Sequence, residues 1–187
     1  MKYVKMLGLA AMAPMALMAF GAGSASATSH LYSTGVEVKA GTEVHITLQG
    51  SALLSTTDGK TLIYTCTTRT STGKVEYPAG GDTIVASTSL TWGGCTATTD
   101  TLVPGKYTIS SAGTVTGSNT VVTVNFGGVT CRYGTGAGTT LGTLNTGKLA
   151  VNAVINEQEP KSFICPDTTK WFASYAFTSP HDLSAGA

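Results

Sequence analysis

Few residues in this chain have the chemistry to act on a substrate. His45 follows Glu43 by two positions, so on an extended strand both side chains project from one face, as an acid/base pair or two metal ligands would need. No third ligand stands near them in sequence, and the pair reads as a solvated strand face. His30 and His181 lie toward the two ends, where order is least expected. Glycoside hydrolysis on a β scaffold needs two carboxylates flanking the scissile bond, but most of the acids, Asp58, Asp82 and Glu159 among them, fall in predicted turns. A nucleophile elbow, G-x-S-x-G, does not occur after residue 27.

The four cysteines, Cys66, Cys95, Cys131 and Cys165, could act as thiolates, hold a metal, or pair. A metal site fails on spacing, since there is no C-x-x-C pair and no His close to any Cys. An even count in an exported chain reads first as two disulfides. Of the three pairings, Cys66 with Cys95 and Cys131 with Cys165 is favoured, because the chain then divides into two similar halves. In each half a strand bears the first Cys, and threonines follow the second, as in Cys95-Thr96 and Cys165-Pro166-Asp167-Thr168. These matching offsets suggest a degenerate internal duplication.

Gly134-Thr135-Gly136-Ala137-Gly138 resembles a phosphate loop only in composition, because no helical pattern follows it to present an amino terminus to a phosphate. Asp58 and Asp82 offer calcium one ligand each, far short of six to eight oxygens. No cofactor is expected. Trp92 and Trp171 share the core parity of their strands and lie within six residues of a Cys, which predicts packing against the disulfides. The alternative use of these two indoles is a platform that contacts a sugar or lipid-like ligand.

The elements that must position these residues are strands. Residues 1–27 read as a secretory signal, with Lys2 and Lys5 before an apolar stretch and Ala25-Ser26-Ala27 as the cleavage pattern. Setting it aside leaves 187 − 27 = 160 residues, with 33 Thr and 20 Gly, nine basic groups and ten acidic ones. That threonine-rich, nearly neutral composition opposes a nucleic-acid partner and favours strands over helices. Apolar residues recur with period two: Val44, Ile46, Leu48; Ile84, Ala86, Leu90, Trp92; Val122, Val124, Phe126; Leu149, Val151, Ala153, Ile155; and Trp171, Ala173, Tyr175, Phe177. Turn signals such as Asp58-Gly59, Pro104-Gly105 and Asn145-Thr146-Gly147 separate them. The pattern predicts an all-β fold, an antiparallel β-sandwich of roughly ten strands, as one domain over 28–180 with a flexible tail over 181–187.

The segments Trp92-Gly93-Gly94-Cys95, Val129-Thr130-Cys131-Arg132-Tyr133-Gly134-Thr135-Gly136, Phe163-Ile164-Cys165-Pro166 and Trp171-Phe172-Ala173-Ser174-Tyr175 extend the comparison. In them the chain resembles small secreted actinobacterial β-rich proteins of unknown function, and more distantly is similar to bacterial secreted activators of alkane oxidation. The resemblance covers most of the chain after residue 27 and implies secretion and a β-rich fold. It carries over no catalytic residue.

These readings predict an exported, non-catalytic protein acting as an extracellular surface, matrix or interaction component, with self-association or cell-envelope contact through charge-poor strands. A secreted carrier of a small hydrophobic ligand is the alternative, and a hydrolase is the third.

Overall fold

The computed structural model describes residues 28–187, and the leader expected over 1–27 lies outside the described residues. Every regular element in that span is a strand, as a threonine-rich sequence of period two requires. In chain order the first eight are β1 (His30–Ser33), β2 (Val36–Glu37), β3 (Glu43–Ser55), β4 (Leu62–Cys66), β5 (Thr68–Glu76), β6 (Thr83–Gly93), β7 (Thr98–Val103) and β8 (Lys106–Ile109). Then follow β9 (Thr114–Ser118), β10 (Val121–Phe126), β11 (Val129–Gly134), β12 (Thr139–Asn145), β13 (Lys148–Glu157), β14 (Thr168–Ser179) and β15 (Leu183–Gly186).

Eight of these strands close on themselves. The antiparallel order β12-β9-β8-β6-β5-β3-β14-β13 returns to β12 through the β12–β13 hairpin and forms a barrel. The hairpin turn at Thr146-Gly147 has φ of 43° and 72°, the left-handed pair whose twist matches a two-residue hairpin. From β13 the sheet continues outward through β11, β10 and β7, while β4 pairs with β3. These four strands build a second lobe at one end of the barrel. Strands β15-β1-β2 form a separate short sheet.

The closed barrel corrects the sandwich expected from alternation. Alternation shows that one strand face is buried, a property sandwiches and barrels share. Closure rests instead on β9–β12 and β12–β13 pairing, which local periodicity does not encode. The residues after Pro180 also differ from the loose tail expected. Leu183 is fully buried, and its strand pairs with β1 from His30↔Gly186 to Ser33↔Leu183.

Two hydrophobic cores result. Val44, Ile46, Val85, Ile109, Leu141, Val151 and Phe177 belong to the barrel core, and Leu31 and Leu183 of the short sheet join it. Leu54, Tyr64, Val124, Tyr133 and Ile155 pack with Cys66, Cys131 and Cys165 in the second lobe. Strand β3 serves both, pairing with β5 over Glu43–Thr47 and with β4 over Ala52–Ser55. Trp171 packs against both cores.

The disulfides are Cys66–Cys95 and Cys131–Cys165, as expected, and among the described residues no cysteine is free. Both bridges serve the second lobe, so the two bridged halves do not become two matching lobes. Two disulfides fit an oxidising compartment. Among the described residues no helix is long and apolar enough to cross a membrane.

Candidate functional site

Arg69 is the residue sequence reasoning missed. It is the second residue of β5, a strand whose inward positions are Arg69, Ser71, Gly73 and Val75. Only Val75 is apolar among them, so the alternation that reveals the other strands is absent. Arg69 is nonetheless 5% exposed. It faces Trp92 directly across the β5–β6 ladder.

Trp92 reaches that position through a bulge. Ser87 pairs with Gly73 and Ser89 with Thr72, leaving Thr88 as an extra residue in β6. Before the bulge the inward residues are Thr83 and Val85; after it they are Leu90 and Trp92. A single parity from Ile84 to Trp92 is therefore corrected to two.

The guanidinium carbon of Arg69 stands 4.4 Å from the Tyr175 ring centroid, 5.0 Å from that of Trp92 and 5.4 Å from that of Trp171. The indole centroids are 6.3 Å apart. Three ring faces with their negative quadrupoles thus surround one permanent cation. An Nη of Arg69 donates to the Tyr107 hydroxyl at 2.5 Å, while Nε–H has no hydrogen-bond partner. Burial opposes the charged form, but the Tyr107 and Tyr175 oxygens outweigh it and raise the guanidinium pKa. The Tyr175 hydroxyl lies close enough to Arg69 to act on its charge, but among the described residues it meets no group in full hydrogen-bonding geometry.

Beside Arg69 lies a cavity of about 30 Å3 where the two cores meet. Leu54, Leu90, Val122, Ile155 and Trp171 give it apolar walls, and Tyr133 lines it too. The Tyr133 hydroxyl is buried without a partner. Burial, with the Glu157 carboxylate second, pushes its pKa up to about 12.

A second feature occupies the far end of the second lobe. A groove of about 270 Å3 is lined by Ile63, Phe126, Val129, Cys131, Ile164 and Pro166. Next to it Phe163 is fully exposed, and Ile164 and Leu62 are more than half exposed. The Phe163 loop is held at its base by the Cys131–Cys165 bridge and by the buried Glu157 carboxylate, which accepts the Ser162 N–H at 2.8 Å. The main sheet ends at β7, whose Leu102 and Val103 are also exposed.

The remaining sequence candidates are dispersed. His45 Nε2 and Glu43 Oε1 do meet, at 2.9 Å, on the half-exposed outer face of β3. His30 contacts Glu37 at 2.7 Å and stacks on Tyr77, and His181 lends its carbonyl to Ser33. Among the described residues no group of three His, Cys, Asp or Glu side chains is placed to hold a metal ion. Trp92 and Trp171 come together, with the Arg69 guanidinium against both rings. Trp92 and Cys95 both pack against the second core, close to the bridges.

No family model matches the chain, and no curated protein and no solved structure was found to match it.

Proposed function

We propose that the protein is an exported, non-catalytic component of an extracellular surface or matrix that assembles with copies of itself through the apolar end of its second lobe. The observation that carries this reading is the pairing of a fully exposed Phe163 with an adjoining apolar groove. Exposed large apolar side chains gathered in one place mark interaction sites on soluble domains. A knob beside a hole on one surface is self-complementary, since a two-fold axis seats each knob in the other copy's hole. A cavity of roughly 150 Å3 holds a benzene ring, so the groove of about 270 Å3 has room for a phenyl group. The near-neutral charge of the chain leaves little repulsion between copies.

The leader-like residues and the disulfides support export. A carrier of a hydrophobic ligand at Trp92 and Trp171 is disfavoured on volume. Drug-sized ligands occupy pockets of roughly 300–1,000 Å3, whereas the space beside these indoles is about 30 Å3.

The test is sedimentation velocity over a concentration series, on the wild-type chain and on Phe163→Ser. The reading expects reversible oligomers of the wild type and a monomer for the variant, whose fold is unaffected because Phe163 is exposed. A wild type that stays monomeric at every concentration, and is not recovered with the envelope fraction of its host, would overturn it.

A further inference from the structure

We propose that the cavity beside Arg69 is a binding site for one small monovalent anion, a halide or a formate-sized carboxylate. This inference is independent of the assembly surface, with which the cavity shares no lining residue.

Charge is the first argument. Arg69 is a cation at any accessible pH, nine-tenths buried, and among the described residues the one acceptor in hydrogen-bonding geometry with it is the Tyr107 hydroxyl. Ring faces attract the guanidinium but supply no lone pair to its N–H groups. A buried cation without an anionic partner is costly, and removing it from water is offset only when a counter-charge and acceptors are supplied. The groups acting on Arg69 are tyrosines, with no carboxylate among them.

The second argument is the donor set. Arg69 and Tyr133 both line the cavity, and each has a buried donor with no acceptor, Nε–H and the phenolic O–H. Most buried polar groups are hydrogen-bonded, so two unpaired donors at one small cavity point to a shared acceptor. Tyr133 stays a neutral donor up to about pH 12, and the Glu157 carboxylate that also raises it accepts the Ser162 N–H.

Size sets the class. A water molecule needs roughly 10–15 Å3 of such volume, and the cavity of about 30 Å3 exceeds that by only a small factor. One to three heavy atoms fit, which admits chloride, bromide or formate and excludes sulfate, phosphate and longer carboxylates. The apolar walls favour monovalent anions, which are less strongly hydrated than divalent ones.

Both tryptophans of the chain flank Arg69, so selectively excited tryptophan emission reports on this site. The experiment titrates the disulfide-bonded protein with sodium chloride, sodium formate or sodium sulfate at fixed ionic strength, with gluconate as the balancing anion. A saturable emission change with chloride, formate or both, absent with sulfate, supports the site, and the two arms decide between halide and carboxylate. Tyr133→Phe, which keeps the ring and the fold, weakens that saturation by about tenfold, the loss of one hydrogen bond to a charged group. Arg69→Met removes it. No saturable change with either small anion, an equal change with sulfate, or an unchanged titration in Tyr133→Phe and Arg69→Met would each overturn the proposal. Should Arg69→Met fail to fold, the Tyr133→Phe titration decides alone.

Discussion

Arg69 and Trp92 are cross-strand partners in the β5–β6 ladder, and the guanidinium carbon lies 5.0 Å from the indole centroid. Register alone therefore places a cation over an aromatic face, and Tyr175 and Trp171 complete the enclosure from β14. Attraction of this kind is worth about 2 kcal/mol or more when the pair is desolvated. It makes the junction of the two cores polar at its centre and apolar around it.

The Tyr107 hydroxyl is the acceptor that Arg69 keeps within the protein. Tyr107→Phe leaves the ring in the barrel core but strands that guanidinium N–H, and hydrogen bonds to charged groups contribute about 1.5–3 kcal/mol. The variant is expected to lose that much stability by urea unfolding. In an Arg69→Met background the same substitution should cost close to nothing, because no charge is left unpaired. Equal losses in both backgrounds would show that Tyr107 acts through packing only.

Much of this molecule is legible in its residues. The faces of β3, β10, β13 and β14 follow from alternation, as Leu149, Val151, Ala153 and Ile155 all turn inward. The disulfide pairing is likewise the one favoured by the division of the chain into two similar halves. Four things are not readable, each for a physical reason. Barrel closure is a relation between distant strands. The parity change at Thr88 needs the register of β5 opposite it. Arg69 sits inward on a strand whose other inward residues, Ser71 and Gly73, carry no hydrophobic signal. The exposure of Phe163 has the same character, because its sequence neighbourhood Phe163-Ile164-Cys165 reads as core.

Gly142 marks the seam of the barrel. It pairs with Val151 across β12–β13, and a Cβ built there would overlap the Ala150 carbonyl oxygen. Gly142→Ala must therefore push β12 off β13, at a cost near 3 kcal/mol, the upper part of the usual range for overpacking. For a domain of this size that lowers Tm by roughly 6–12 °C. Gly138→Ala is the control, because its Cβ would meet only a Thr116 methyl at 3.6 Å. Calorimetry showing the two variants alike would remove the close-approach argument.

Alkaline pH should unfold the protein through its tyrosines. Burial pushes the Tyr175 pKa up to about 12, with Arg69 working against that rise, and Tyr133 is raised to a similar value. Burial raises Tyr64 as well. In the unfolded chain a tyrosine ionises near pH 10. Above about pH 10 the unfolded state binds fewer protons than the folded one, so stability falls as pH rises through 10 to 12, by up to about 1.4 kcal/mol per unit for each such group. Below pH 10 these groups contribute no slope. Absorbance at 295 nm should show Tyr64, Tyr133 and Tyr175 titrating only as circular dichroism is lost. Complete titration near pH 10 with the fold intact would contradict their burial.

The disulfides stabilise one lobe more than the other. Cys66, Cys131 and Cys165 belong to the second core and Cys95 packs against it, whereas the barrel core contains no cysteine. The bridges close loops with sequence separations of 29 and 34, for which chain entropy gives about 3–4 kcal/mol each. Reduction should therefore release β10 and β11 before β9 and β12, whose core residues Val115 and Leu141 owe nothing to a bridge. Hydrogen exchange followed by mass spectrometry, with and without reductant, reads this directly. Protection should fall first in peptides covering Val121–Phe126 and Val129–Gly134, and persist in those covering Thr114–Ser118 and Thr139–Asn145. A simultaneous loss in all four segments would mean that the two cores unfold as one cooperative unit, with the Arg69 junction as the tie between them.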